Sequence, residues 1–141
     1  MSAEHLNKAK MLLSRTGCTC VICGDDMIIT DKRRGVRPLL DLLENETNIR
    51  GFSAADKVVG KAAAYLYCLL GIESLFANVI SQPALNVLQS AGIPVEYSQM
   101  VPAIRNRTGD GYCPMESAVW DIDDPHEALD AIVNTLAKLT K

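Results

Sequence analysis

Cys113, Pro114 and Glu116 stand in the run Gly109-Asp110-Gly111-Tyr112-Cys113-Pro114-Met115-Glu116, a pattern that brings a thiol to the start of a helix. The glycines and Asp110 suit a turn, and Pro114 suits the first helical position, where its missing N–H is not needed. Cys113 then falls at the N-cap and Glu116 at N3, a capping box with a thiol in place of a hydroxyl. A sulfur there faces unpaired N–H groups and the positive end of the helix dipole, which favours its thiolate. Serine or aspartate would cap better, so folding alone does not call for cysteine. The chemistry on offer is a thiolate nucleophile or redox thiol, with Glu116 as cap or proton carrier. The plain alternative is a cysteine half-buried beside a turn, with Glu116 serving only the backbone.

Lys61 is the second candidate. Gly60-Lys61 precedes Ala62-Ala63-Ala64-Tyr65-Leu66-Tyr67-Cys68-Leu69-Leu70, which is apolar on nearly every side and reads as a central, buried helix. A cation at its entrance fits a pKa-shifted amine, an anion ligand or a snorkelling lysine. Gly60 lowers helix stability by about 1 kcal/mol against alanine, so a close approach by another backbone or a ligand would account for it.

The elements that must position these residues follow from periodicity and punctuation. A first helix over 3–16 carries Leu6, Ala9, Leu12 and Leu13 on one stripe and stops at Gly17. Strands over 18–23 and 27–31 flank a Gly24-Asp25-Asp26 turn. The basic segment Lys32-Arg33-Arg34-Gly35-Val36-Arg37 suits a solvated loop or a phosphate contact. Pro38 opens a short helix to Leu43, and residues 44–53 form a polar loop. Ser53-Ala54-Ala55-Asp56 matches a capping box and predicts a helix from there to Leu70, closed by Gly71. A strand over 74–80, a helix over 84–90 and a strand over 95–98 follow. A helix over 114–120 and a last one from Pro125, capped by Asp124, complete the chain. The result is one α/β domain over residues 1–141: three layers, α/β/α, with a mixed sheet made of a β-hairpin followed by parallel βαβ strands.

Composition narrows the partners. Of 141 residues, 48% are hydrophobic and 22% charged, enough for one core. A net charge of −3 counts against nucleic acid. No apolar run approaches the ~20 residues of a membrane span, and the first ten residues lack the apolar stretch of a signal peptide. The expectation is a soluble, cytoplasmic protein with neither nucleic-acid nor membrane partners. Five cysteines suit free thiols. Cys18, Cys20 and Cys23 lack a second ligand pair at zinc-finger spacing and read as small buried strand residues, Cys18 and Cys20 on one face and Cys23 on the other. No metal or cofactor is expected.

The order of elements resembles the cytidine deaminase-like fold, and the whole chain is similar to a small uncharacterised family of that fold, a domain of unknown function. The stretches that carry the resemblance are Asp56-Lys57-Val58-Val59-Gly60-Lys61-Ala62-Ala63-Ala64, Val79-Ile80-Ser81-Gln82-Pro83-Ala84, Ala103-Ile104-Arg105-Asn106-Arg107 and Gly111-Tyr112-Cys113-Pro114-Met115-Glu116. Active deaminases need His- or Cys-x-Glu at the start of the central helix and Pro-Cys-x-x-Cys at the next, so that three ligands and an acid/base surround one zinc-bound water. Here those motifs would fall at Gly60-Lys61-Ala62 and Ser81-Gln82-Pro83-Ala84-Leu85-Asn86. All three ligands and the glutamate are missing, so the residues do not support zinc-dependent deamination.

What the resemblance implies is a position: two helix N-termini meeting at the sheet edge, with Lys61 and Ser81 in the place of the metal site. It suggests a metal-free pocket lined by Lys61, Ser81, Asn106 and Cys113, with Arg105 or Arg107 meeting an anionic group. Three functions fit. The chain binds a small polar, anionic or nucleotide-like ligand; or it is an enzyme using Cys113, with Lys61 assisting; or it is a non-catalytic, homo-oligomeric or regulatory module.

Overall fold

The computed structural model describes residues 2–33, 35–105, 111 and 113–139. Five strands form one mixed sheet. β1 (Cys20–Cys23) and β2 (Ile28–Asp31) make the expected antiparallel hairpin, closed by the Gly24 N–H on the Met27 carbonyl at 2.9 Å. β3 (Ser53–Val59) runs antiparallel to β1, and β4 (Ser74–Ser81) and β5 (Val95–Val101) continue from it in parallel, in the spatial order β2-β1-β3-β4-β5. Register places Cys20 beside Asp56, and Ala77 between Asp56 and Tyr97.

One expectation fails at the centre of this sheet. Ser53-Ala54-Ala55-Asp56 does not cap a helix; it is the first half of β3, and α3 begins eight residues later, spanning Lys61–Leu70. Ala54 and Ala55 favour helix intrinsically, and burial between two neighbouring strands overrides that preference. Ser53 to Asp56 are all buried, and the Ser53 and Ser74 hydroxyls meet at 2.7 Å across the β3–β4 pair. The end of α3 falls as expected, with Gly71 left-handed at φ 76°.

Helices cover both faces. α1 (Ser2–Arg15) lays Ala9 and Leu13 on Cys18, Val21, Cys23 and Ala55. The opposite face carries Cys20, Ile22, Ala54, Leu75 and Ala77, packed under α2 (Arg37–Glu44), α3, α4 (Gln82–Ser90) and α6 (Pro125–Leu139). Cys18 therefore shares a face with Cys23 and not with Cys20. Regular pleating starts only at Cys20, so alternation cannot be counted back through Cys18. All five cysteines are free thiols, and Cys18, Cys20 and Cys23 are buried as expected.

α3 is the hub: it packs on α2, α4, α6 and the short α5 (Pro114–Ala118). Its Leu66 and Tyr67 side chains are wholly buried. Burying a side chain of that size contributes about 2 kcal/mol, which explains why this helix needs no polar face. The Asp124 side chain accepts from the Glu127 N–H at 2.9 Å and caps α6 as expected.

Candidate functional site

At the start of α3 the backbone has unpaired N–H groups and a glycine in the capping position. Gly60 has no side chain to cap with. Its backbone is ordinary extended chain at φ −94°, ψ 178°, so the reason for glycine is space: a Cβ there would lie 3.2 Å from both Glu116 Oε1 and Ile104 Cγ1. The close neighbour is the protein's own carboxylate. Glu116 Oε1 accepts from the Lys61 N–H at 2.6 Å, and Oε2 accepts from the Ile104 N–H at 2.7 Å. The residue is 1% exposed.

This corrects the capping box expected within α5. Glu116 does not return to the N–H of Cys113; that group donates to the Ile104 carbonyl at 2.9 Å. Glu116 caps a different helix, fifty-five residues away in sequence. Cys113 does occupy the N-cap of α5, with Pro114 following, and its thiol makes no capping bond. It is partly exposed.

Lys61 grips the same segment at its other end. Its buried ammonium donates to the Trp120 carbonyl at 2.8 Å and lies 5.7 Å from the Tyr65 ring centre. One turn on, Tyr65 donates to the Ile122 carbonyl. A single face of α3 thus holds both the start of α5, through Glu116, and the link that follows it. Ser81 is wholly buried, and its hydroxyl accepts from the Ala84 N–H at 3.3 Å, capping α4. Arg105 is exposed and lies directly after the clamped Ile104. Asn106 and Arg107 lie outside the described residues. The structure therefore brings Lys61, Glu116, Ile104 and Cys113 together, while Lys61 and Ser81 direct their polar atoms to backbone partners.

A second polar cluster lies beneath the sheet. Tyr67 of α3 donates to Asp56 Oδ2 at 2.7 Å, and its oxygen lies 3.3 Å from Cys20 Sγ. With the tyrosine proton directed at the carboxylate, the thiol supplies its own to the phenol oxygen. Burial raises the Asp56 carboxyl to about 7, against the opposing hydrogen bonds from Tyr67, Val58 and Lys57. Burial also pushes the Cys20 thiol and the Tyr67 phenol upward, with the Asp56 charge adding to both. Sequence reasoning missed this cluster because it read Asp56 as a helix cap. The available signal was Val58-Val59 two residues on, a β-branched pair better suited to a strand.

Two grooves lie elsewhere. One of about 460 Å³ runs between α2 and α6, lined by Leu40, Leu43, Leu129 and Val133 with Glu44 and Asp130 at its sides. One of about 240 Å³ is lined by residues 46–50 with Leu42, Leu43, Leu69 and Leu70. In the basic segment, Arg33 pairs with Asp31 and Asp41, each at 2.7 Å. At the two helix starts where the resemblance would put zinc, Gly60-Lys61-Ala62 and Ser81-Gln82-Pro83 offer no Cys, His or carboxylate ligand of their own. Among the described residues no group of three His, Cys, Asp or Glu could hold a metal, and no described helix is long and apolar enough to cross a membrane.

A family model described as a domain of unknown function, DUF1893, matches residues 8–136. Among solved structures, a DUF1893 family protein from Thermotoga maritima superposes with a TM-score of 0.85 at 28% identity, covering 98% of this chain and 92% of that one. A dCMP deaminase from the cyanophage S-TIM5, in apo form, gives a TM-score of 0.43 at 12% identity over 67% of this chain and 94% of that one, a weak likeness of fold. No curated protein matches the sequence.

Proposed function

We propose that this chain, which belongs to the DUF1893 family, binds a small polar or anionic molecule, nucleotide-like in size, beside the turn that carries Cys113. Arg105 supplies the charge and Cys113 the rim, with Asn106 and Arg107, outside the described residues, as further ligands. Lys61, Glu116 and Ser81 are positioning residues.

The observation that supports this most is the use of a fully buried carboxylate to anchor the base of the turn. Glu116 holds Ile104 with one oxygen and α3 with the other, and Ile104 in turn receives the Cys113 N–H. Residues 105 and 113 therefore leave the scaffold from fixed, adjacent points. Binding residues are commonly carried on loops that a rigid scaffold positions. A buried charge held by two backbone donors fixes geometry more strictly than an apolar plug of equal volume would. The α3 N-terminus itself is already filled by Glu116, so a ligand's anionic group meets the arginines instead.

The partly exposed, uncapped thiol of Cys113 favours a second reading, in which this turn carries a nucleophilic or redox cysteine. One thermal-unfolding series separates the two. Inorganic phosphate and nucleoside monophosphates should raise the melting temperature of the wild type, by an amount equivalent to about 2.7 kcal/mol at a hundredfold excess over Kd. Arg105→Ala should abolish the rise, and Cys113→Ser should preserve it. No rise with any small anion, together with alkylation of Cys113 well below pH 8, would replace binding by thiol chemistry.

A further inference from the structure

The sheet has two edges that differ in kind. The β2 edge has four residues, ends in Asp31, and carries the Arg33 guanidinium paired across that aspartate. A short strand with charges laid over it is how proteins keep an edge from pairing. The β5 edge is longer and carries a single charge of its own. It runs for seven residues, Val95-Glu96-Tyr97-Ser98-Gln99-Met100-Val101, in one constant register with β4 and without proline, lysine or arginine. Its five central residues are exposed, including Tyr97 at 44% and Met100 at 41%. The one charge, Glu96, is neutralised from within by Lys10 Nζ at 2.6 Å.

We propose that β5 is the interface for a second copy of this chain, pairing antiparallel with β5 of that copy about a two-fold axis at Ser98, so that two five-stranded sheets become one of ten. The sequence of the strand is self-complementary in that register. Residues opposed in an antiparallel pair face the same side, so a symmetric pairing must place its axis at a residue rather than between two. Only Ser98, the central position, lets all seven residues find partners. Val95 then meets Val101 of the second copy, Tyr97 meets Gln99, and Glu96 meets Met100, so no like charges are opposed. The other edge offers nothing comparable, since a symmetric pairing there sets the Asp31 and Arg33 charges of both copies around a four-residue strand. Tyr97 and Met100 add apolar area on either side of the new strand pair.

The full chain tests this by sedimentation equilibrium across a concentration series. The wild type should give a dimer mass, and Ser98→Lys, which sets two ammonium groups face to face at the axis, should give a monomer with an unchanged circular dichroism spectrum. Ser98→Cys should form a covalent dimer on mild oxidation, while Thr30→Cys on the β2 edge should not. A wild type that stays monomeric throughout, or a Ser98→Lys chain that remains dimeric, overturns the proposal. So does a Ser98→Cys chain that fails to cross-link, which covers the case in which Ser98→Lys does not fold.

Discussion

Glu116 faces two backbone N–H groups, and both need an acceptor. A carboxylate offers two acceptor oxygens; an amide offers one, and its NH₂ would confront the other donor. Glu116→Gln should therefore lower stability by about 2 kcal/mol although it preserves shape, and Glu116→Ala by about 4 kcal/mol, with two buried donors unpaired. Denaturant titration of both variants measures this, and a Glu116→Gln chain as stable as the wild type would remove the anchor from the account. The type of this residue, its distance from Pro114 and its link to the Cys113 turn were legible in the sequence. Its target was not. A capping box and a cap on a distant helix look identical in one dimension, because only tertiary packing decides which N–H lies within reach.

At the scale of the element, α3 shows how a helix start can be built by another part of the chain. Gly60 is there because the Glu116 carboxylate and the Ile104 side chain stand 3.2 Å from where a Cβ would be. The carboxylate is pinned by two hydrogen bonds and cannot give way, so Gly60→Ala should cost about 1 kcal/mol or more. The loss should shrink in the Glu116→Ala background, as coupled neighbours require. Equal losses in both backgrounds would mean that the contact is not what excludes a side chain. Sequence reasoning found the anomaly at Gly60 and the need for a close approach, and it placed Gly71 and the apolar body of α3 correctly. It lost the boundary at Ser53 because small residues signal both a cap and a buried central strand, and only the partners β1 and β4 distinguish them.

For the whole molecule, the layers, the β-hairpin and the parallel β4–β5 pair were legible because alternating elements with short connections allow few topologies, but the central strand β3 was read as helix. The network of Cys20, Tyr67 and Asp56 was not legible, since it joins two strands and a helix that are distant in sequence. Its consequence is global. The folded state holds the Asp56 proton up to about pH 7, whereas an unfolded aspartate releases it near pH 4. Between those values the native state binds more protons, so this group's contribution to stability is full below about pH 4 and is lost as pH rises through about 7. Urea unfolding should find the wild type less stable at pH 8 than at pH 5 by about 2–4 kcal/mol from this source, and Asp56→Asn should largely remove the difference. The same slope in both proteins would assign it to other groups.

Whether Arg105 and the Cys113 segment form a ligand site positioned by Glu116 is decided by a two-dimensional ¹H–¹⁵N NMR titration with a nucleoside monophosphate. Concentration-dependent shifts should centre on the amides of Lys61, Ile104, Arg105 and the Cys113 segment and be absent in Arg105→Ala. Shifts confined to the groove between α2 and α6, or no shifts at all, would contradict such a site.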